Sequence, residues 1–323
     1  LVPMKIDVEF LDLLKNLGSL DQRTLLRRLS AFSDLDRPRL QRLTDQWRQL
    51  PTQRRRQIIR LMGELADEHI ELTFEVINRM AMADSDPQVR ATAIANLWEC
   101  EDPSLVPSLL DALRQDPDAR VRAAAAKSLG GFVYIGETAD LPGESLPQIE
   151  QALLEAHDRD QAIEVRIQCL ESLGFSSRPE VQHLIRAAYE RQEPNWLRAA
   201  FVAMGRSADP QWADVLMFEI HNPDPQLRLA AVEAAGELEL RKLVPGLVDL
   251  LEDAYPPVRR AAIWSLGQIG GAIAEDMLTA LLESSEDPEE IQLLEDALDN
   301  LAFVNGTRDL LLLNFDEDED DID

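Results

Sequence analysis

The chain has 323 residues, more than one compact core commonly uses, so it is either multidomain or an elongated array. Aromatic residues make up 5% and hydrophobic residues 45%; alanine and leucine dominate and alternating strand patterns are scarce, a balance that favours helices. A formal charge of −28 sets up a field that repels nucleic acid and anionic lipid, and no apolar run approaches the ~20 residues that a membrane-spanning helix needs.

Residues 1–36 read as an N-terminal helical cap. Ile6 to Leu17 is amphipathic, and Ser19 with Gln22 resembles a capping box for a helix running to about Ala31. Asp36 and Thr52 are placed to cap the helices of a first, degenerate repeat.

From 37 to 305 one unit recurs about eight times. Val89-Arg90 leads to Leu97, Val121-Arg122 to Leu129-Gly130, Val165-Arg166 to Leu173-Gly174, Leu227-Arg228 to Ala235-Gly236 and Val258-Arg259 to Leu266-Gly267. Trp196-Leu197 leads to Met204-Gly205 with the arginine displaced to Arg198, and Arg54-Arg55 with Met62-Gly63 fits loosely. Ile291-Gln292 with Asn300 reads as a worn copy. The glycine register falls at 63, 98, 130, 174, 205, 236, 267 and 300, spacings of roughly 31–35 residues with one of about 44. At position 98 a tryptophan replaces the glycine, which reads as a core filler at a bent junction. An Asp, Asn or Pro precedes most pairs, as in Asp86-Pro87, Asp116-Pro117 and Asn222-Pro223, and suits a helix start; the glycine suits a stop. Each unit also holds an earlier apolar helix, such as Ser104 to Gln115 or Lys242 to Asp253. A helix pair this short buries its apolar face only against its neighbours, which predicts an all-α, right-handed α-solenoid of stacked hairpins.

The signature Asp/Pro-x-x-Val-Arg-x-x-Ala-Ala-x-x-Leu-Gly resembles HEAT repeats, in particular the short bacterial variety of phycobilisome-lyase-like proteins, over roughly Arg37 to Asn305. The resemblance implies that the arginines of the ladder, Arg90, Arg122, Arg166, Arg228 and Arg259, reach the acidic turn of an adjacent repeat. Candidate acids are Asp84, Asp86, Asp116, Asp118, Asp160, Asp224 and Asp253. The competing reading of the ladder, a phosphate track, is weakened by Leu197 and Gln292, which interrupt it.

Near 131–145 about a dozen residues are inserted. Their Gly, Pro and Thr content reads as a loop that either offers Phe132, Tyr134 and Ile135 to a partner or tucks them onto the array. Residues 306–323 form an acidic tail expected to be disordered. Between Asp21 and Arg60 there are about eleven arginines against four aspartates, and after Gly271 only Arg308 against about eighteen acids. The acidic end therefore either merely solubilises the chain, receives a basic partner, or meets the basic end in cis or between copies.

Two cysteines, Cys100 and Cys169, lie far apart in helical patterns and read as small core residues of a reducing compartment, and no charged-then-apolar leader is evident; a cytoplasmic protein is the expectation. His69, His157, His183 and His221 do not recur at the repeat period and lack His-Glu pairing, so no metal site, cofactor or catalytic residue is assigned.

With the Val of each pair as position zero, positions four, five and eight face the core, and positions two and six line the concave surface. Position six reads Arg60, Ala95, Lys127, Glu171, Val202, Glu233, Trp264 and Ala297. Trp264, with Arg260 one turn before it, is either a binding hot spot or a local cation–π pair. Leu229 and Arg198 would extend such a patch, with Tyr134 as a further contact on the insertion. The expected function is a non-enzymatic scaffold that holds a protein or peptide on this face; the alternative is a lyase-type or chaperone-like factor for a tetrapyrrole-bearing protein, which rests on the resemblance alone.

Overall fold

The computed structural model describes residues 2–139, 141 and 143–317, with side chains described for 8–139, 141 and 143–306. Among them there is no strand, and the chain divides into two compact units, Leu1–Ser172 and Leu173–Asp323. Each is a stack of helix hairpins, the α-solenoid mode of construction.

The first unit opens with α1 (Val2–Asn16) and α2 (Gln22–Arg28). Asp21 rather than Ser19 caps α2, accepting from Thr24 N, while the Ser19 hydroxyl turns back to donate to Asn16 O. Hairpins α3 (Arg37–Trp47)/α4 (Thr52–Glu68) and α5 (Glu75–Ala81)/α6 (Pro87–Ala95) follow. Asp36 caps α3, whereas Thr52 is the first residue of α4 and Pro51 holds the cap position. Phe10, Leu13 and Leu17 of the cap join Leu43, Ile58 and Ile77 in one buried cluster. The unit ends with α7 (Val106–Gln115)/α8 (Ala119–Thr138) and α9 (Ser145–Arg159)/α10 (Ile163–Leu173). Half of the expected loop insertion is helical: α8 continues through Phe132 and Tyr134 to Thr138, because the run after Gly131 is apolar enough to keep a buried side, with Phe132 and Val133 both enclosed.

The second unit comprises α11 (Pro179–Glu190), α12 (Pro194–Arg206), α13 (Ala213–Glu219), α14 (Pro225–Glu237), α15 (Val244–Asp249), α16 (Pro256–Ile269), α17 (Ala272–Ser284) and α18 (Pro288–Glu317). Its inner helices pack in sequence, α12 on α14, α14 on α16 and α16 on α18. The backbone of α18 runs through the start of the acidic tail to Glu317; Asp318–Asp323 lie outside the described residues.

In most repeats the register glycine is not a helix stop; Gly174, just past the end of α10, is the exception. Gly63, Gly130, Gly205, Gly236 and Gly267 all lie inside their helices. They let the next inner helix approach: a Cβ on Gly205 would stand 2.9 Å from the Ala234 Cα, and one on Gly267 2.7 Å from the Ala297 carbonyl. The residue facing the glycine is small in most such pairs, as Ser172 against Gly130 and Ala234 against Gly205 show, while Gly63 faces the Asn96 side chain. Ala297 is therefore buried rather than on the concave face, and the last copy is shifted by one residue from the expected register. Left-handed residues follow several helices: Gln192 after α11, Ala208 after α12 and Glu239 after α14, with φ of 55, 49 and 53°, and Gly270 at the end of α16, with φ of 68°.

Aspartates and arginines complete the stack. Arg90 donates through Nε and Nη2 to both Asp116 oxygens at 2.8 Å and through Nη1 to Asp84 O at 2.9 Å. Arg122 repeats this with Asp160 at 2.7 and 2.9 Å and Asp116 O at 2.9 Å; Arg228 does so with Asp253 at 2.7 and 3.0 Å and Asn222 O at 2.6 Å. Arg55 pairs with Asp84 at 2.8 Å and donates to Leu50 O. Arg259 keeps the local half, donating to Asp253 O at 2.7 Å, and Arg166 donates to His157 O at 2.7 Å. Asp224 caps α14 and receives no ladder arginine; Asp118 caps α8 and pairs with Arg120 of the same helix, and Asp86 caps α6 and also receives Arg56.

Two measurements test this construction. Ala at 205 gains about 1 kcal/mol of helix propensity but forces backbone against backbone, so Gly205→Ala is expected to destabilise by about 1–2 kcal/mol net, whereas Gly131→Ala, whose Cβ would meet nothing within 4 Å, is expected to stabilise slightly; urea midpoints read both. The guanidinium of Arg228 holds the Asp253 carboxyl below its ordinary range. A depressed folded-state pKa contributes stability above the unfolded value and loses it as pH falls through the folded one. Arg228→Ala is expected to cost about 2–4 kcal/mol at pH 7. Asp253→Asn is expected to flatten the loss of stability below about pH 4 in acid titrations followed by circular dichroism.

Candidate docking groove

Helices α14, α16 and α18 present a continuous inner face in the second unit. Positions four, five and eight point inward: Ala231, Val232 and Ala235 on α14 and Ala262, Ile263 and Leu266 on α16 are all buried. The opposite stripe recurs every turn at positions two, six and ten. It reads Leu229, Glu233 and Glu237 on α14, and Arg260, Trp264 and Gln268 on α16. These six side chains, with Leu293 of α18, line a groove of about 560 Å³. Trp264 is 43% exposed, a large fraction for an indole in a packed array.

Leu229, Arg260 and Trp264 are thus brought together as their spacing suggested. The local cation–π alternative is not what the structure shows: Arg260 and Trp264 make no ring contact, and Arg260 has no ion pair or hydrogen bond among the described residues. Arg198, also exposed, stands one repeat earlier on α12, and its charge acts on Glu233. Tyr134 belongs to the first unit and lines a different concavity. Glu171, expected on the concave face, is buried and accepts from Gln168 at 3.2 Å.

Sequence reading missed position ten, and with it Glu237 and Gln268. The signal was present in the same one-turn spacing, but a helix taken to stop at its glycine has no position ten. Burial raises the Glu233 carboxyl above its ordinary range, and the Arg198 charge offsets this in part. Burial raises Glu237 too, opposed by Arg206, whose Nε lies 4.0 Å away, and reinforced by the neighbouring charge of Glu233. The groove thus combines an apolar strip, two carboxylates that a cation would relieve and an arginine with no internal partner. It offers recognition of a side-chain pattern, and among the described residues no three His, Cys, Asp or Glu side chains form a metal-binding group. No helix among them is long and apolar enough to cross a membrane.

The family model for HEAT repeats matches residues 75–143 and 213–300. An uncharacterized phycocyanin operon protein Z of Pseudanabaena tenuis (strain PCC 7409) is 29% identical over 170 residues, 51% of this chain and 81% of that protein. Among solved structures, the complex of CpcE and CpcF of phycocyanin lyase from Nostoc sp. PCC7120 aligns with a TM-score of 0.47 at 19% identity, over 72% of this chain and 95% of that one. Human deoxyhypusine hydroxylase aligns with a TM-score of 0.36 at 18% identity, over 93% and 98%. Residues 75–143 and 213–300 thus match HEAT repeats, and over 170 residues the chain is similar to a phycocyanin operon protein.

Proposed function

We propose that the protein is a non-enzymatic HEAT-repeat scaffold and that the groove on α14, α16 and α18 is where it holds a protein partner. The observation that carries this reading is the meeting of Trp264, Leu229 and Leu293 with Glu233, Glu237 and Arg260 in one concavity. An exposed tryptophan beside an uncommitted arginine is the composition of an interface anchor. The partner segment that fits sets an apolar side chain against Trp264 and a basic one between the two glutamates. Trp264→Ala and Arg260→Glu are each expected to weaken partner capture by about tenfold or more while leaving the fold intact, read by affinity capture with quantified yield. Undiminished capture by both variants removes the site.

A second reading is supported by the relative whose name places it in a phycocyanin operon. In it, the protein serves as a lyase-type or chaperone-like factor for a tetrapyrrole-bearing protein, and the groove receives the polypeptide part. Mixing with a phycobiliprotein subunit and a free bilin separates the two. A change in visible absorbance that depends on this chain favours the second reading, and an unchanged spectrum leaves the scaffold.

A further inference from the structure

The repeat rule is broken twice in the first unit, and both breaks meet at one place. In α4, α14 and α16 the helix runs past its register glycine, whereas α6 ends at Ala95, before Trp98 is reached. A tryptophan in that slot would strike the next inner helix. The chain turns away instead, and Trp98 stands 67% exposed rather than filling the core. One repeat later, α8 is prolonged by the inserted residues, which raise Tyr134, 52% exposed, beside the gap. The two departures line a concavity of about 390 Å³ with Trp98, Glu99, Glu101, Gly131, Tyr134 and Ile135. Departures from an otherwise consistent local pattern are expected where a protein is shaped for binding.

Charge decides what the concavity accepts. Glu99 and Glu101 make no hydrogen bond or ion pair among the described residues, and the Trp98 ring makes no ring–ring or cation–π contact among them. The nearby cation, Arg79, is committed: it donates to Glu75 at 2.8 Å, to Asp102 at 2.7 Å and to Cys100 Sγ at 3.5 Å. Two free carboxylates beside an open indole face repel an anionic occupant and favour a cation, which gains from both the charges and the ring. We infer that this concavity is a second docking site, distinct from the groove of the other unit, and that it takes an arginine- or lysine-bearing segment of a partner protein. The cation sits against Trp98 and the two glutamates, and an adjacent apolar side chain lies along Tyr134 and Ile135.

The test uses the full chain with Trp264→Phe. In that background Trp98 is the exposed indole, since Trp47, Trp196 and Trp212 are buried, and the tryptophan of the second-unit groove is absent. The probe is the peptide acetyl-Gly-Arg-Leu-Arg-Gly-amide, with its glutamate-for-arginine counterpart as control. Acrylamide quenching reads Trp98, and the rate of thiol modification reads Cys100, because Cys169 is buried. The arginine peptide is expected to protect both and the glutamate peptide neither. Glu99→Gln with Glu101→Gln is expected to weaken that protection at least about tenfold, as is Trp98→Ala read through the thiol. Absence of protection, equal protection by the glutamate peptide, or affinity retained in either variant overturns the proposal. None of these results bears on the groove around Trp264.

Discussion

The arginine of the Val-Arg or Leu-Arg pair on the inner helix, in its full form at Arg90, Arg122 and Arg228, is the constraint on which the stacking depends. Its guanidinium is planar and forked. One edge takes the carbonyl that ends the outer helix of its own hairpin, and the other takes both oxygens of an aspartate in the turn of the next hairpin. A single side chain therefore fixes the turn of one repeat and its offset from the following one. Lysine, with a point charge, would hold one of these but not the planar pair. The carboxylates are mostly enclosed and the arginines nearly so, and the pairs are therefore shielded from the screening that makes surface ion pairs weak.

Close approach of the inner helices is the second requirement, and it follows from a different residue. With a glycine on one helix and Ala on the next, as at 205/234 and 267/297, backbone approaches backbone, and Ser or Asn fills the other slots with a short side chain. The apolar stripe is then narrow, and the helices are free to leave a separate stripe, one turn apart, open at positions two, six and ten. The docking groove of the second unit is a consequence of that division of labour. Core contacts use one side of the inner helix, and the chemistry of the other side is left to vary, as the change from Leu229–Glu233–Glu237 to Arg260–Trp264–Gln268 shows.

Hairpins, the arginine ladder and the Leu229–Arg260–Trp264 cluster were legible because each rests on a period that sequence states directly. Helix ends were not. Glycine serves both as a stop and as a contact surface, and the string of letters does not distinguish them; only the facing residue, some thirty positions away, does. The same ambiguity hid Glu237 and Gln268, while a one-residue shift in the last copy placed Ala297 on the wrong side of its helix. Trp98 was misread for a related reason: an aromatic residue in a core register suggests burial, but a slot built for no side chain at all expels one. The prolonged α8 was hidden by its Gly and Thr content, which marks loops in general but is tolerated here by two turns with a buried side.

Helices α11, α12 and α14 are each followed by a left-handed residue that is not glycine: Gln192, Ala208 and Glu239. Such a conformation costs a side-chain-bearing residue on the order of 1 kcal/mol, so the isolated hairpin has little reason to adopt it. Gln192 bends within the hairpin of α11 and α12, whereas Ala208 and Glu239 bend where the next hairpin begins, so its packing is what offsets their cost. On that account the ends of α12 and α14 gain their full packing only once the next hairpin has emerged from synthesis, so that these repeats are finished by the one that follows.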